Sequence, residues 1–284
     1  MNLDFTKMHG CGNDYIYFNC FSQEIPDPSA LSVRVSDRHK SIGGDGIVLI
    51  CPSRVADAKM RMFNIDGSEG KMCGNAIRCV GKYIYEKGIT DKLNVSIETL
   101  SGIKKLRLFK TGSKVTSACV NMGKAEFSPE KVPIKIAELK NGERAVNFPV
   151  SIAGEKRNIT AVSMGNPHCV VFVDNTDNFD VCGVGKQFEF DPIFPERVNT
   201  EFVELINRRT IKMRVWERGS GETFACGTGA CAAVAAACEN GFCDKDEDIT
   251  VHLRGGDLVI NYKEDKTVYM TGNAVIAFEG RVTV

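Results

Sequence analysis

Gly67-Ser68-Glu69-Gly70-Lys71-Met72-Cys73-Gly74-Asn75 returns later in the same chain as Ser220-Gly221-Glu222-Thr223-Phe224-Ala225-Cys226-Gly227-Thr228. Superposing Cys73 on Cys226 sets an offset of 153 residues, and other marks then fall into register. Glu69 meets Glu222, Gly88 meets Gly241, Asp91 meets Asp244, and Gly12-Asn13 meets Gly165-Asn166. Past the glycines the match continues with a slip of one: Val95, Ile97 and Thr99 before Gly102 face Ile249, Val251 and Leu253 before Gly256. Met122-Gly123-Lys124-Ala125 also resembles Thr271-Gly272-Asn273-Ala274. Glycine-rich turns can align by chance, but so many coincident marks point to a duplication, and self-similarity decides architecture. The chain reads as two homologous halves with a pseudo-twofold relation.

Both halves share one coarse pattern. Short apolar runs bounded by turn residues read as strands: Gly46 to Cys51, Lys59 to Ile65, His168 to Val173 and Thr210 to Trp216. One helix is expected in each half, directly after the cysteine. In the first, Ile77, Val80, Gly81 and Ile84 lie at i, i+3, i+4 and i+7, and Gly88 is placed to end the helix. In the second, Ala230 to Glu239 is apolar nearly all round, which predicts a buried helix wrapped by strands. The fold class is therefore α/β (α+β), two pseudo-symmetric domains, each a strand-rich, barrel-like layer around a central helix, with the active site in the cleft between them. The charged stretch from Glu126 to Phe148, with Pro129 and Pro133, is the expected connection.

Composition narrows the partners. With 284 residues, 36 Lys and Arg against 36 Asp and Glu, the chain has no net charge at pH 7, so nucleic acid is a poor candidate. At 43% hydrophobic residues it has material for a full core. The longest uncharged stretch, Thr223 to Cys238, is too short and too rich in small residues for a membrane span, and the start from Met1 does not read as a secretory signal. A cytoplasmic protein with no membrane partner is expected. Its 12 cysteines then read as thiols, not as a disulfide framework. No Cys pair has C-x-x-C spacing and His9, His39, His168 and His252 are scattered, so no metal site is expected. Cys20, Cys51, Cys119, Cys169, Cys231 and Cys238 read most simply as core filler.

The duplication puts a cysteine at the start of each central helix. Unpaired N–H groups and the positive dipole end there lower a thiol pKa from about 8.5 toward neutrality, and the same groups bind carboxylate. If the halves face each other, one thiolate can remove a proton beside a carboxylate and the other thiol can return one from the opposite face, inverting the carbon. Neither a metal nor a cofactor is required for this, because helix ends and oriented donors stabilise the developing charge.

Seven motifs extend the reading: Met8-His9-Gly10-Cys11-Gly12-Asn13-Asp14, Phe63-Asn64-Ile65-Asp66-Gly67-Ser68-Glu69, Met72-Cys73-Gly74-Asn75, Ser163-Met164-Gly165-Asn166-Pro167-His168, Pro195-Glu196-Arg197-Val198-Asn199, Trp216-Glu217-Arg218-Gly219 and Ala225-Cys226-Gly227-Thr228-Gly229-Ala230-Cys231. Together they resemble the diaminopimelate epimerase family from Met8 to about Gly272. The resemblance implies interconversion of LL- and meso-diaminopimelate without pyridoxal phosphate, for lysine and cell-wall synthesis, by a cytoplasmic homodimer. It also implies a terminal strand returning to the first domain, so that residues 1–123 with 275–284 form one half and 124–274 the other. Carried over by position, Cys73 and Cys226 would be the exchanging thiols. N–H groups of Gly74, Asn75, Gly227 and Thr228 would hold the reacting carboxylate. Asn13, Asn64, Asn166, Asn199, Glu217 and Arg218 would read the distal end, with His168 beside the site. Gly46, the repeat partner of Asn199, stands where some members have Gln and can offer only backbone.

Plainer readings exist for several of these. Glu217-Arg218 can be an exposed surface pair, His168 a turn residue, and Gly43-Gly44-Asp45-Gly46 a turn, since it lacks the dinucleotide and P-loop spacings. A proline or hydroxyproline racemase would keep the two cysteines without needing Asn64, Asn199, Glu217 and Arg218 together. A thiol redox protein would use Cys73 and Cys226 as an exchangeable pair, but gains nothing from two carboxylate-binding helix ends.

Overall fold

A computed structural model describes residues 1–284 other than 141 and 153. The chain divides into two units, Met1–Asn121 with Thr271–Val284, and Met122–Met270. The first unit contains β1 (Asn2–Gly10), β2 (Asn13–Asn19), α1 (Pro28–Val35), β3 (Gly46–Cys51), β4 (Ala58–Asn64), β5 (Glu69–Gly70), α2 (Gly74–Glu86), β6 (Asn94–Thr99) and β7 (Gly102–Thr111). The chain leaves it within β8 (Lys114–Lys124). The second contains β9 (Phe148–Ile152), β10 (Glu155–Ser163), β11 (Pro167–Phe172), α3 (Val181–Glu189), β12 (Asn199–Asn207), β13 (Thr210–Glu217), β14 (Gly221–Thr223), α4 (Gly227–Glu239), β15 (Asp248–Leu253) and β16 (Gly256–Tyr262). The chain leaves this unit within β17 (Thr267–Asn273), and β18 (Val275–Thr283) lies in the first.

The two units pair their strands alike. In the first, β1 pairs antiparallel with β2, β2 parallel with β3, β3 antiparallel with β4, β4 parallel with β6, and β6 antiparallel with β7. In the second, β10, β11, β12, β13, β15 and β16 follow the same alternation. The outer neighbour of β1 is β18, whereas that of β10 is β9, which precedes it in the chain. One half thus takes this strand from the end of the chain.

Parallel neighbours need a long crossover, and the crossover is where helices appear. The β4–β6 and β13–β15 crossovers hold α2 and α4, which start directly after Cys73 and Cys226. The β2–β3 and β11–β12 crossovers hold a second helix in each half, α1 and α3, where the sequence led us to expect only one. Both keep the 153-residue offset, with Asp27 accepting from Ala30 N–H at 3.0 Å and Asp180 from Gly183 N–H at 2.9 Å. Replacing either aspartate with Ala removes an N-cap and should cost about 1 kcal/mol, read as a matching fall in urea midpoint for both variants.

α2 packs against β1, β2, β4, β6 and β7, and α4 against β10 to β13, β15 and β16. The alanines and cysteines of α4 present little bulk, so strands can approach on every side, and every residue from Ala230 to Cys238 is buried. Covered by α1 as well, β3 is buried on both faces. The stretch from Glu126 to Phe148 is more than a connection: Val132, Ile134 and Ala145 join Ile159, Cys169, Phe188 and Phe202 in the core of the second unit. Its apolar residues, spaced between the charges, find partners only in three dimensions. Of the cysteines read as core, Cys169, Cys231 and Cys238 are buried, while Cys20, Cys51 and Cys119 are only half-buried. No helix among the described residues is long and apolar enough to cross a membrane.

Candidate active site

Cys73 is the N-cap of α2. Its backbone is extended, and its Sγ accepts from Ala76 N–H at 3.5 Å. A helix start leaves its first amides without partners inside the helix, so the N–H groups of Gly74 and Asn75 are available to an anion beside the sulfur. The Cys73 thiol donates to Asn13 Oδ1 at 3.3 Å, and Asn13 Nδ2 donates to Asp45 Oδ2 at 2.7 Å. Asp45 is presented by the Gly43 to Gly46 turn, which is thereby a structural support and not a phosphate loop. Arg38 bridges Asp45 and Asp14, and Lys7 pairs with Asp14 at 2.6 Å. Burial works against the Asp14 carboxylate, but the hydrogen bonds from Arg38 and Lys7 outweigh it and hold its pKa below the usual range.

Below the cap, the fully buried Arg78 donates to Gly74 O at 3.0 Å, Asn75 Oδ1 at 2.9 Å and Asn273 O at 3.1 Å. This fixes the first turn of α2 and turns the Asn75 side chain inward. Gly10 makes room for it, since a Cβ there would lie 2.8 Å from Arg78 Nη2. Asn64 ends β4 opposite Gly46, and its amide donates to Ser68 Oγ at 2.9 Å. Gly46 has φ +147° and lies against the Phe63 carbonyl, so backbone is all it contributes.

In the second unit Cys226 caps α4 in the same way, with Sγ accepting from Gly229 N–H at 3.3 Å and lying 3.5 Å from Thr228 Oγ1. Here the electrostatics depart from the expectation. Burial, followed by the carboxylates of Glu217 and Glu201, pushes the Cys226 thiol well above its ordinary pKa, against the donors from Thr228 and Gly229. Desolvation disfavours the thiolate more than the helix start favours it. The balance favours the neutral thiol at Cys226 over the thiolate.

The residues around it form one connected group. Asn166 donates to Thr228 Oγ1 at 3.4 Å and accepts at Oδ1 from His168 Nε2 at 3.1 Å. His168 is fully buried, and its Nδ1 lies 2.7 Å from Glu201 Oε1, a residue that the sequence reading passed over. Asn199 lies beside His168 on the parallel neighbour strand, but both ends of its amide serve the backbone, donating to Pro167 O at 2.8 Å and accepting from Arg218 N–H at 3.0 Å. Glu217 is half-buried and accepts a hydrogen bond from the Thr223 hydroxyl. The exposed Arg218 guanidinium donates to Glu196 O at 2.9 Å. Each half thus assembles a thiol, a helix start and an asparagine sixty residues earlier. The second adds an ionisable group at 217 where the first has Asn64.

A family model described as diaminopimelate epimerase matches residues 5–128 and 160–277. The diaminopimelate epimerase of Acetivibrio thermocellus is 52% identical over 283 residues, spanning 99% of this chain and 98% of that protein. That of Desulfovibrio desulfuricans is 50% identical over 281 residues, spanning 98% of this chain and 97% of that protein. Among solved structures, a PhzF-family phenazine biosynthesis protein of Bacillus anthracis shares the fold with TM-score 0.71 at 17% identity, covering 100% of both chains. A hydroxyproline epimerase from Agrobacterium vitis does so with TM-score 0.70 at 13% identity, covering 99% of this chain and 92% of that one.

Proposed function

The chain belongs to the diaminopimelate epimerase family and is an isomerase of lysine biosynthesis with that activity, and on this premise we propose that Cys73 and Cys226 exchange the α-proton. The observation that carries the assignment of residues is the repeated one: a thiol at a helix N-cap, with two amides beside it, in both halves at the same offset. Reaction requires both thiols to reach one α-carbon from opposite faces. A thiolate takes the α-proton, the C–H electron pair moves into the carboxylate, and the amides of Gly74, Asn75, Gly227 and Thr228 stabilise the charge. The other thiol then gives its proton to the opposite face. The enzyme ends with thiol and thiolate exchanged, and LL- and meso-diaminopimelate are interconverted without a cofactor.

Asn13, Asn64, Asn166, Asn199, Glu217 and Arg218 would read the distal amino-acid end, Asn13 and Asn166 from beside the helix starts and Asn199 with the amide proton and lone pair that its backbone contacts leave over. Asparagine both donates and accepts, Arg218 suits a carboxylate, and Glu217 an ammonium. His168 would set the wall of the site, and Gly46 would offer backbone alone.

Incubation with LL-diaminopimelate in deuterated water, without added cofactor, should give meso product carrying deuterium at one α-carbon. The remaining LL substrate should stay protiated early on, because the removed proton and the returned deuteron sit on different thiols. If neither deuterium nor meso isomer appears, the activity is wrong. Proline and hydroxyproline should not be turned over. A cytoplasmic homodimer is part of the same reading, supported by the family, and light scattering should return twice the 31.1 kDa chain mass.

A further inference from the structure

Glu201 is a buried acid that the reaction above does not use. It stands on β12 with no exposed surface, its Oε1 within hydrogen-bond reach of an equally buried His168, and its Oε2 has no hydrogen-bond partner among the described residues. An ionised carboxylate so placed would leave one buried charged oxygen without a protein partner, a costly arrangement. Burial accordingly raises the Glu201 carboxyl above its usual range despite the pull of His168. Cys169 on β11, Glu217 on β13 and Cys226 at the start of α4 also interact with it, and none of these supplies a positive charge. Glu201 Oε1 shares a proton with His168 Nδ1, and Nε2 faces Asn166 Oδ1, an oxygen that can only accept, so the imidazole carries a proton on Nε2.

The directions of the other contacts agree. With Nε2–H donating to Asn166 Oδ1, the Asn166 amide donates to Thr228 Oγ1, which leaves the Thr228 hydroxyl proton for Cys226 Sγ. We propose that Glu201 is a positioning residue for the reaction: it holds His168 with its proton on Nε2, so that a line of donors runs through Asn166 and Thr228 and ends on the Cys226 sulfur.

Comparison of the halves supplies an independent argument. At the 153-residue offset Glu201 corresponds to Val48, His168 to Tyr15 and Gly229 to Ala76. A Cβ on Gly229 would lie 2.7 Å from Glu201 Oε1, so the carboxyl fits against α4 only because position 229 lacks one. The first half pairs Val48 with Ala76 and the second Glu201 with Gly229, a joint change that makes space for the acid. The polarity also differs, since the Cys73 thiol donates toward Asn13 and Asp45.

This inference rests on Cys226 being one of the exchanging thiols, and the test separates the two. Selective ¹⁵N-histidine labelling, with His168 assigned by its loss in H168N, should show the His168 proton on Nε2. In E201Q the Gln amide can still donate to Nδ1, so kcat should stay within about threefold of the parent, whereas E201L should lose about tenfold or more. An Nε2 without a proton overturns the proposal. So does a folded E201Q as impaired as E201L, or an E201L with unchanged kcat. If E201L does not fold, the tautomer and E201Q still decide. Failure of the thiol assignment would appear differently, as a Cys226→Ala variant that remains active.

Discussion

Replacing either Cys73 or Cys226 with Ala should reduce inversion by about 10³-fold or more, each change being sufficient alone. Every turnover in either direction uses both sulfurs, one to take the α-proton and one to give, so neither can substitute for the other. Fold loss is a poor explanation of such a result. The Ala variants lose a sulfur acceptor for Ala76 N–H at 3.5 Å or Gly229 N–H at 3.3 Å, together with the contact to Asn13 Oδ1 or Thr228 Oγ1, long contacts whose loss should cost about 1 kcal/mol. Thermal unfolding should therefore change little while α-proton exchange collapses. A variant with near-normal turnover would remove that residue from the mechanism.

The same scheme constrains the pH profile. Cys73 thiolate with Cys226 thiol, and the reverse, are two arrangements of one proton on the pair, so LL-to-meso and meso-to-LL rates share the same limbs. The alkaline limb marks loss of the last proton. Because burial pushes the Cys226 thiol upward, that limb should lie above the ordinary thiol range. Finding it near pH 8, or finding two directions that disagree, would contradict the scheme.

How much of this could be read in the chain depended on whether a feature repeats locally or arises by packing. The central helices were legible because cysteine, apolar period and closing glycine recur together. The α1 and α3 helices, at eight and nine residues, are too short for a clear apolar period, yet Asp27 and Asp180 at the common offset marked both. Asn13 and Asn166 stood out by motif position as readers of the distal end, but their contacts with Cys73 and Thr228 show only in three dimensions. Glu201 was not, because a lone acid in an apolar strand looks solvent-facing until the halves are compared and Val48 is found in its place. The upward pull on Cys226 was equally hidden: a helix start is visible in sequence, but desolvation by the surrounding strands is not.

Gly46 brings the second large effect. Asn199, its repeat partner, keeps a side chain, while Gly46 has φ +147° and a Cβ there would lie 2.0 Å from the Phe63 carbonyl oxygen and 3.1 Å from Asn64 Cα. Both obstacles are backbone of the paired strand, so rotamer change cannot relieve them. Gly46→Ala and Gly46→Gln should each cost about 3 kcal/mol or more by urea unfolding, since β3 and β4 must part where they pair. The damage would reach the site from both sides, moving Asn64 on one strand and Asp45, hence Asn13 and Cys73, on the other. Asn199→Gly should cost less, about 1 to 3 kcal/mol, by leaving Pro167 O and Arg218 N–H without their partner. If Gly46→Gln instead folds at parental stability and turns over substrate, then β3 and β4 can separate at that point to admit a Gln side chain. In that event Gly46 would be a tolerated substitution and not a requirement of this backbone.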